Sequence, residues 1–546
     1  MRSSYSAQRS KTILISLLLL FVLVLTSCAP APAGTTSTTA PAGSSATAAP
    51  QPQVQPTVAQ TPAEPEAPYE ITIFMPFFQQ EPPATEGNPL LDYVHEKLNI
   101  KLIYNWVPNG EVANKFNVLM ASNEMSMIMS GGTTAQASFV RLANLGSFWD
   151  ITEMVEEFPV ITEKLMNPAT ASSSLLNGRR YFLPSQSPDA RIGMLYREDW
   201  VENLGMTLPD NLSSQDFYDL CKAFTEGDPD GDGKNDTSGY AYCDDQNKET
   251  AFGFTTIAVF NGAPNGFGIR DGKIIYDVQT QEYLDTLNLM NDMYENGYLI
   301  SDFATLSSGA KYNPMLEERA GLMFTSITNA AVPGGKFDTL LATNPDAKIG
   351  VRLLNVGVDG NLVVNSNIGV SGGGLVLTTA KVKTEDDVRR ILDFFSQLHS
   401  GDLAKAVDIG IEGVHYTTEA NGKITITPEQ AEKRAVDGSK LIFWDGFPRR
   451  MIEEDWGQEM SPTQLLTQMS IDKQQYAVRN EAGGRISSES LTIMNEIEGI
   501  LIDARVAYIM GRIDETGFNR AVDEWLAAGG ADVIAEVQAN YEAETK

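Results

Sequence analysis

Cysteine and histidine are scarce in this chain. Three of each are spread over 546 residues, and His95, His399 and His415 lie far apart in sequence. That spacing matches neither a zinc site nor a nucleophile–histidine arrangement. Also missing are a nucleophile elbow, a P-loop and a dinucleotide-binding glycine pattern. A paired-carboxylate glycosidase would need two acids held about 5–9 Å apart across a bond. Nothing in the sequence marks such a pair, so no enzymatic activity is expected. Positive charge is in short supply too, with 40 Lys and Arg against 71 Asp and Glu and a formal net charge of −31. A surface this acidic disfavours nucleic acid and anionic lipid as partners.

What the N-terminal region does contain is ordered. Arg2, Arg9 and Lys11 precede an apolar run over residues 13–25, which ends in Leu25-Thr26-Ser27-Cys28. Basic residues, a short apolar stretch and a small-residue cleavage site form a secretory signal. The run is too short to span a bilayer core of about 30 Å comfortably. Its end resembles the lipobox of bacterial lipoproteins, which implies acylation of Cys28 after removal of residues 1–27. That removal takes away three basic residues and no acidic one, so the net charge moves from −31 to about −34. Residues 28–68 are then almost wholly Ala, Pro, Thr, Ser, Gly and Gln, without an aromatic before Tyr69. Such a composition is expected to form a disordered, proline-extended tether.

Tyr69 opens the alternating run Tyr69-Glu-Ile-Thr-Ile-Phe-Met75, a strand signal, so folded structure is expected from there. The remaining chain is too long for one core and suits two large lobes. Residues 90–98 read as a helix, 100–107 as a strand, 112–125 as a helix followed by a turn at Gly131-Gly132, and 374–379 as a strand. Thr384 and Asp387 stand in capping-box relation before a helix with Val388, Ile391, Leu392, Phe395 and Leu398 on one face. This alternation predicts α/β lobes with partly parallel sheets.

The sharpest chemical signal is Asp228-Pro-Asp230-Gly-Asp232-Gly233-Lys234-Asn-Asp236. Carboxylates at loop positions 1, 3, 5 and 9, with glycine at 6, wrap oxygen ligands around a hard cation, and Lys234 can add its backbone carbonyl. Position 12, where a bidentate Glu belongs, is Gly239. An incomplete EF-hand-type loop holding structural Ca²⁺ is expected. Cys221 and Cys243 flank it, and two readings stay open: a disulfide, or two buried thiols.

The chain resembles the extracellular solute-binding proteins of ABC importers, in the family that includes maltose-binding protein. More narrowly it resembles the long lipoprotein branch with a calcium loop, related to alginate-binding proteins. The matching segments are Ala121-Ser-Asn-Glu124, Asn177-Gly-Arg-Arg-Tyr181-Phe-Leu-Pro184, Leu195-Tyr-Arg197-Glu-Asp199-Trp200, Gly321-Leu-Met323-Phe, and Gly410-Ile-Glu412-Gly413-Val-His415-Tyr416. The Asp228 loop and the stretch from Trp525 to Tyr541 add to these. Two departures are visible: Ser126-Met127 stands where the family usually has Pro-Asp, and Thr237 where alginate binders place an acidic ligand. The resemblance implies a two-lobed periplasmic-binding-protein fold of type II, with a ligand cleft between the lobes. It implies residues 69–185 plus 371–425 in lobe 1 and 186–370 plus 426–546 in lobe 2. Hinge crossings are implied near 184–189, near 371–374 and after Tyr416.

The resemblance also implies the role: a monomer tethered by lipid outside a bacterial membrane, capturing a solute and delivering it to ABC permease subunits. An oligosaccharide is the expected cargo, with sensing, adhesion or peptide binding as alternatives. Sugar recognition uses aromatic rings against the apolar face of a pyranose and carboxylates or amides on its hydroxyls. Candidates on loops and strand ends are Phe78, Glu81, Trp106, Trp149, Glu412, His415, Tyr416, Trp444 and Asp445. Core packing competes with ligand contact at each. Arg197, Asp199 and Trp200 read as a structural motif.

Overall fold

A computed structural model describes residues 67–77, 82, 85–108, 111–133, 137–164, 166, 175–176, 178–184, 188–243, 252–306, 310–331, 336–366, 373–437 and 462–545. Strand structure begins at Tyr69, as the alternating run requires. The strand Tyr69–Phe77 pairs in parallel with Ile100–Pro108, from Tyr69↔Ile100 to Phe77↔Pro108, and on its other side with Ile128–Thr133. Two further strands complete this five-stranded sheet: Gly373–Leu377, antiparallel to Ile128–Thr133, and Phe182–Pro184 beyond it. Ile71, Ile73 and Met75 are fully buried on one face and Phe74 nearly so on the other. A sheet covered on both faces explains why the parallel strands are so apolar.

The expected turn at Gly131-Gly132 is instead part of the strand Ile128–Thr133. Gly132 pairs with Gly374 and Ser130 with Leu375, while the register shifts, so Gly131 is the extra residue of a β-bulge.

Helices on this sheet are started by local chemistry. Asn88 caps Pro89–Leu98 by accepting from the Leu90 and Leu91 amides, and the helix ends at Asn99 in the left-handed region. The expected capping box forms at Thr384 and Asp387, and Glu385–Leu398 buries Val388, Ile391, Leu392, Phe395 and Leu398 together with Phe394. The helix Pro428–Asp437 also lies on this side, where the Asp437 carbonyl accepts from Asn88 Nδ2 (2.6 Å). The first sheet's cover therefore extends past the expected boundary at residue 425.

A second, four-stranded sheet runs in the order Ile349–Arg352, Ile192–Arg197, Ala320–Ser326, Ser238–Tyr240. Its central strand is buried along all six residues. Ser213 and Asp216 form a capping box on the helix Ser214–Glu226 that covers it. That cover is tight: a Cβ on Gly321 would lie 2.1 Å from the Phe224 ring, and one on Gly350 would lie 2.3 Å from the Tyr196 ring. A small third sheet joins Asn355–Val356, Leu362–Asn365 and Ala477–Val478. The long helix Ser488–Ile509 packs against Gln281–Glu295 beside the second sheet and against Ala137–Asn144 beside the first. Among the described residues, no helix is long and apolar enough to cross a membrane.

Candidate functional site

The Asp228 loop begins at Gly227, which ends the helix Ser214–Glu226. Asp228, Gly231 and Gly233 all take positive φ, at 49°, 70° and 80°. The resulting turn folds the Gly233 amide onto the Asp228 carboxylate, at 3.1 and 3.3 Å from its two oxygens. The Lys234 amide donates to Asp232 Oδ1 at 2.8 Å. One carboxylate oxygen each from Asp228, Asp230 and Asp232 lies within 4.8 Å of the others. All three side chains belong to exposed residues, so such proximity of like charge is a cost that a bound cation relieves. Burial, with Asp232 and Asp228 nearby, holds the Asp230 carboxyl above its usual range. Asp232 sits below it because the Lys234 ammonium is hydrogen-bonded to it. Asp236 is exposed and outside the three-carboxylate group. Thr237, where a further acid would stand, is buried and donates its hydroxyl to the Phe224 carbonyl (2.8 Å). The donor set is all oxygen and suits a hard cation with some sites left to water.

Cys221 and Cys243 are both buried and not joined by a disulfide. Of the two readings, the buried-thiol one holds. Cys221 is packed under the second sheet against Gly239, whose Cβ would fall 2.3 Å from the Cys221 Cα. The Cys243 thiol donates to the Leu306 carbonyl at 2.9 Å.

The sugar-site candidates divide sharply. Cys28, Phe78, Glu81, Trp444 and Asp445 lie outside the described residues. Trp106 is half-buried two positions from the end of its strand, stacked on Tyr104 with centroids 4.7 Å apart and planes at 4°. The Trp106 Nε1 and the Tyr104 hydroxyl are buried without a hydrogen-bond partner among the described residues. Burial pushes the Tyr104 phenol well up. Trp149 donates Nε1 to the Val382 carbonyl (3.0 Å), a strut within the first lobe. Asp150 accepts from Thr152 and Arg179, which outweigh its partial burial and hold it below the usual carboxylate range.

His415 is fully buried. Its Nδ1 accepts from the Ile411 amide (2.9 Å), and its Nε2 faces Asp437 Oδ2 at 3.2 Å. Burial lowers its pKa. Gly410, at φ 95°, leaves room for that side chain, since a Cβ there would lie 2.4 Å from the His415 Cβ and 2.6 Å from its ring. The close approach that the glycines in this segment signal is therefore to the chain's own histidine. Tyr416 is 4 % exposed, packed with Ile409 and Ile424, with Lys405 Nζ 5.1 Å from its ring. These two residues line interior structure. Glu412 is exposed. Arg197 is 1 % exposed, forked onto Asp199 at 2.9 and 2.6 Å, paired with Glu318, and set over the Trp200 ring. That is the structural role its motif suggests.

One node escapes a reading of the sequence. Asp189, fully buried, accepts from Ser366 Oγ and from Arg479 Nε, residues 177 and 290 positions away. A shallow groove of about 310 Å³ runs past Ser214, Tyr218, Asn261 and Asp285. All four polar groups are already bonded: Ser214 to Asn261, Tyr218 to Asp292 and Asp285 to Gln281.

No family model matches the chain. The chain is 27% identical over 482 residues to the polygalacturonan/rhamnogalacturonan-binding protein YtcQ of Bacillus subtilis, covering 88% of this chain and 93% of that one. Among solved structures, the alginate-binding protein AlgQ2 without calcium ion superposes with a TM-score of 0.63 at 18% identity, over 87% of this chain and 98% of that one. The Streptococcus pneumoniae ABC-transporter substrate-binding protein FusA, as an EF-hand mutant in complex with fructo-nystose, gives 0.63 at 15% identity over 87% and 99%. The chain thus has the two-lobed fold of solute-binding proteins, and over nearly its whole folded length it is similar to the extracellular solute-binding proteins of ABC importers.

Proposed function

We propose that this protein captures an oligosaccharide between two lobes and hands it to an ABC permease, while held outside the membrane by lipid on Cys28. The observation that carries the reading is the combination of two separate sheets, each with its own helical cover, and a whole-length match to a polysaccharide-binding relative. The lobes are 69–185 with 371–425, to which the helix Pro428–Asp437 is added, and 186–370 with the remainder. Capture is by hinge closure. Trp106 and Glu412 are the described residues kept as ligand candidates, alongside Phe78, Glu81, Trp444 and Asp445. Asp228, Asp230 and Asp232 hold Ca²⁺, with the Lys234 carbonyl and Asp236 completing the protein's share. The ion fixes the loop and takes no part in chemistry. The acidic surface and absence of catalytic motifs favour binding over hydrolysis.

The test is a thermal-shift screen of the folded region, with calcium, against oligogalacturonides, neutral oligosaccharides and peptides. A true cargo at 100 times its dissociation constant adds about 2.7 kcal/mol. Stabilisation by one sugar group supports the reading, and stabilisation by peptides alone overturns it. For the anchor, Cys28→Ala is expected to release the protein from membranes. Retention would indicate a different attachment.

A further inference from the structure

Three stretches of chain join the half built on the first sheet to the half built on the second. The first runs from Phe182–Pro184 to Ile192–Arg197 and contains Asp189. The second leaves Leu362–Asn365, passes through Ser366 and ends in Gly373–Leu377. The third follows Pro428–Asp437 and leads by way of the helix Pro462–Lys473 to Ala477–Val478, after which comes Arg479. One carboxylate ties all three. Asp189 Oδ1 accepts from Ser366 Oγ, and its Oδ2 accepts from Arg479 Nε. The same junction is laced through the backbone by Asn265, whose Nδ2 donates to the Ser366 carbonyl (2.8 Å) and the Val478 carbonyl (3.0 Å). Leu362–Asn365 and Ala477–Val478 are also paired strands.

We infer that Asp189 is a positioning residue of the hinge, a clasp that makes the three connections move as one. The inference rests on the two-lobed reading but not on the identity of the cargo. A carboxylate with no exposed surface is costly unless its oxygens are satisfied, and here its donors come from separate connections. Sliding one connection past another would strand that charge. The lobes are therefore restricted to bending about a shared axis, a hinge motion and not a shear. Arg479 is about half-exposed, so the clasp is reachable by substitution at its outer end without opening the core.

Spin labels at Leu145→Cys and Val358→Cys, exposed positions on the two halves, report the separation in the sugar-free full chain by pulsed dipolar spectroscopy. Cys28 is replaced by Ala in these variants, and Cys221 and Cys243 are buried, so none competes for label. Asp189→Asn and Arg479→Gln are expected to widen the distance distribution roughly twofold as more relative orientations become populated. Arg479→Lys, which keeps a charged donor, is expected to restore the parental width. An unchanged distribution in Arg479→Gln overturns the inference, even if Asp189→Asn proves too unstable to label. Because no sugar is present, failure of the clasp and failure of the cargo assignment are read separately.

Discussion

The second sheet and one face of the first solve the problem of burial with different materials. On the face of the first sheet that carries Ile71, Ile73 and Met75, the buried interior is aliphatic apart from Phe394 and Phe395, with Ala406 among the isoleucines, leucines and valines. The opposite face packs the rings of Phe116, Phe139, Phe148 and Phe182. Around the second sheet, aromatic rings interlock edge to face: Trp200 on Phe224 at 5.4 Å and 86°, Phe217 on Tyr240 at 5.3 Å and 86°, Tyr240 on Phe324 at 5.8 Å and 85°. Glycines in that sheet make the space, Gly321 for Phe224 and Gly350 for Tyr196. Branched aliphatic side chains can repack around a change of shape, while rings held in fixed mutual orientation cannot. The aromatic second sheet should therefore be less forgiving than the aliphatic face of the first.

The largest effect expected is from Trp200→Ala, which removes a fully buried ring and should cost about 3–5 kcal/mol in urea denaturation. Trp200→Phe should be mild, since Nε1 has no partner among the described residues. On the aliphatic face, Leu392→Ala should cost about 3 kcal/mol and Ile391→Leu under about 1.5 kcal/mol. A Leu392→Ala loss larger than that of Trp200→Ala would break the comparison. The calcium proposed for the Asp228 loop would act on the second half alone. Chelation should remove about 2.7 kcal/mol if the ion was present at 100 times its dissociation constant, and Asp230→Asn should abolish that response in a thermal melt.

Buried charge sharpens the contrast through pH. Asp277, 8 % exposed on the second half, has its pKa pushed up to about 7 by burial, against the pull of nearby amides and Arg505. A raised folded-state value means that this residue's stabilising contribution is complete below about pH 4. It is lost as pH rises through about 7, on the order of 2 kcal/mol after relaxation of the site. Between pH 5 and 8 the thermal midpoint of the parent should fall relative to Asp277→Asn. Parallel curves would refute the assignment. The smallest effects should be equal in the two halves: Thr384→Ala and Ser213→Ala each remove a capping box and should each cost about 1 kcal/mol.

What could be read from the sequence was what is local in it. The alternation at Tyr69, the Thr384–Asp387 box and the carboxylate spacing from Asp228 to Asp232 each encode their own geometry within a few residues. Residues whose role depends on distant neighbours misled. Trp149 has the chemistry of a sugar platform, yet its Nε1 reaches the Val382 carbonyl. The glycine at 410 signalled a close approach correctly, but the approaching group is His415. Asp189 falls in an implied hinge crossing, but its partners are set by topology and no spacing connects them.

The order of strands in the first sheet has a consequence for how the chain acquires its structure. Gly373–Leu377 lies between Ile128–Thr133 and Phe182–Pro184, so the fourth of the five strands is supplied from about 240 residues beyond the third. During synthesis the strand Ile128–Thr133 must wait, unpaired on one side, while the entire second sheet is made. A chain so arranged stays loosely organised until late, which is the condition a threaded polypeptide needs to pass through a narrow channel before it locks.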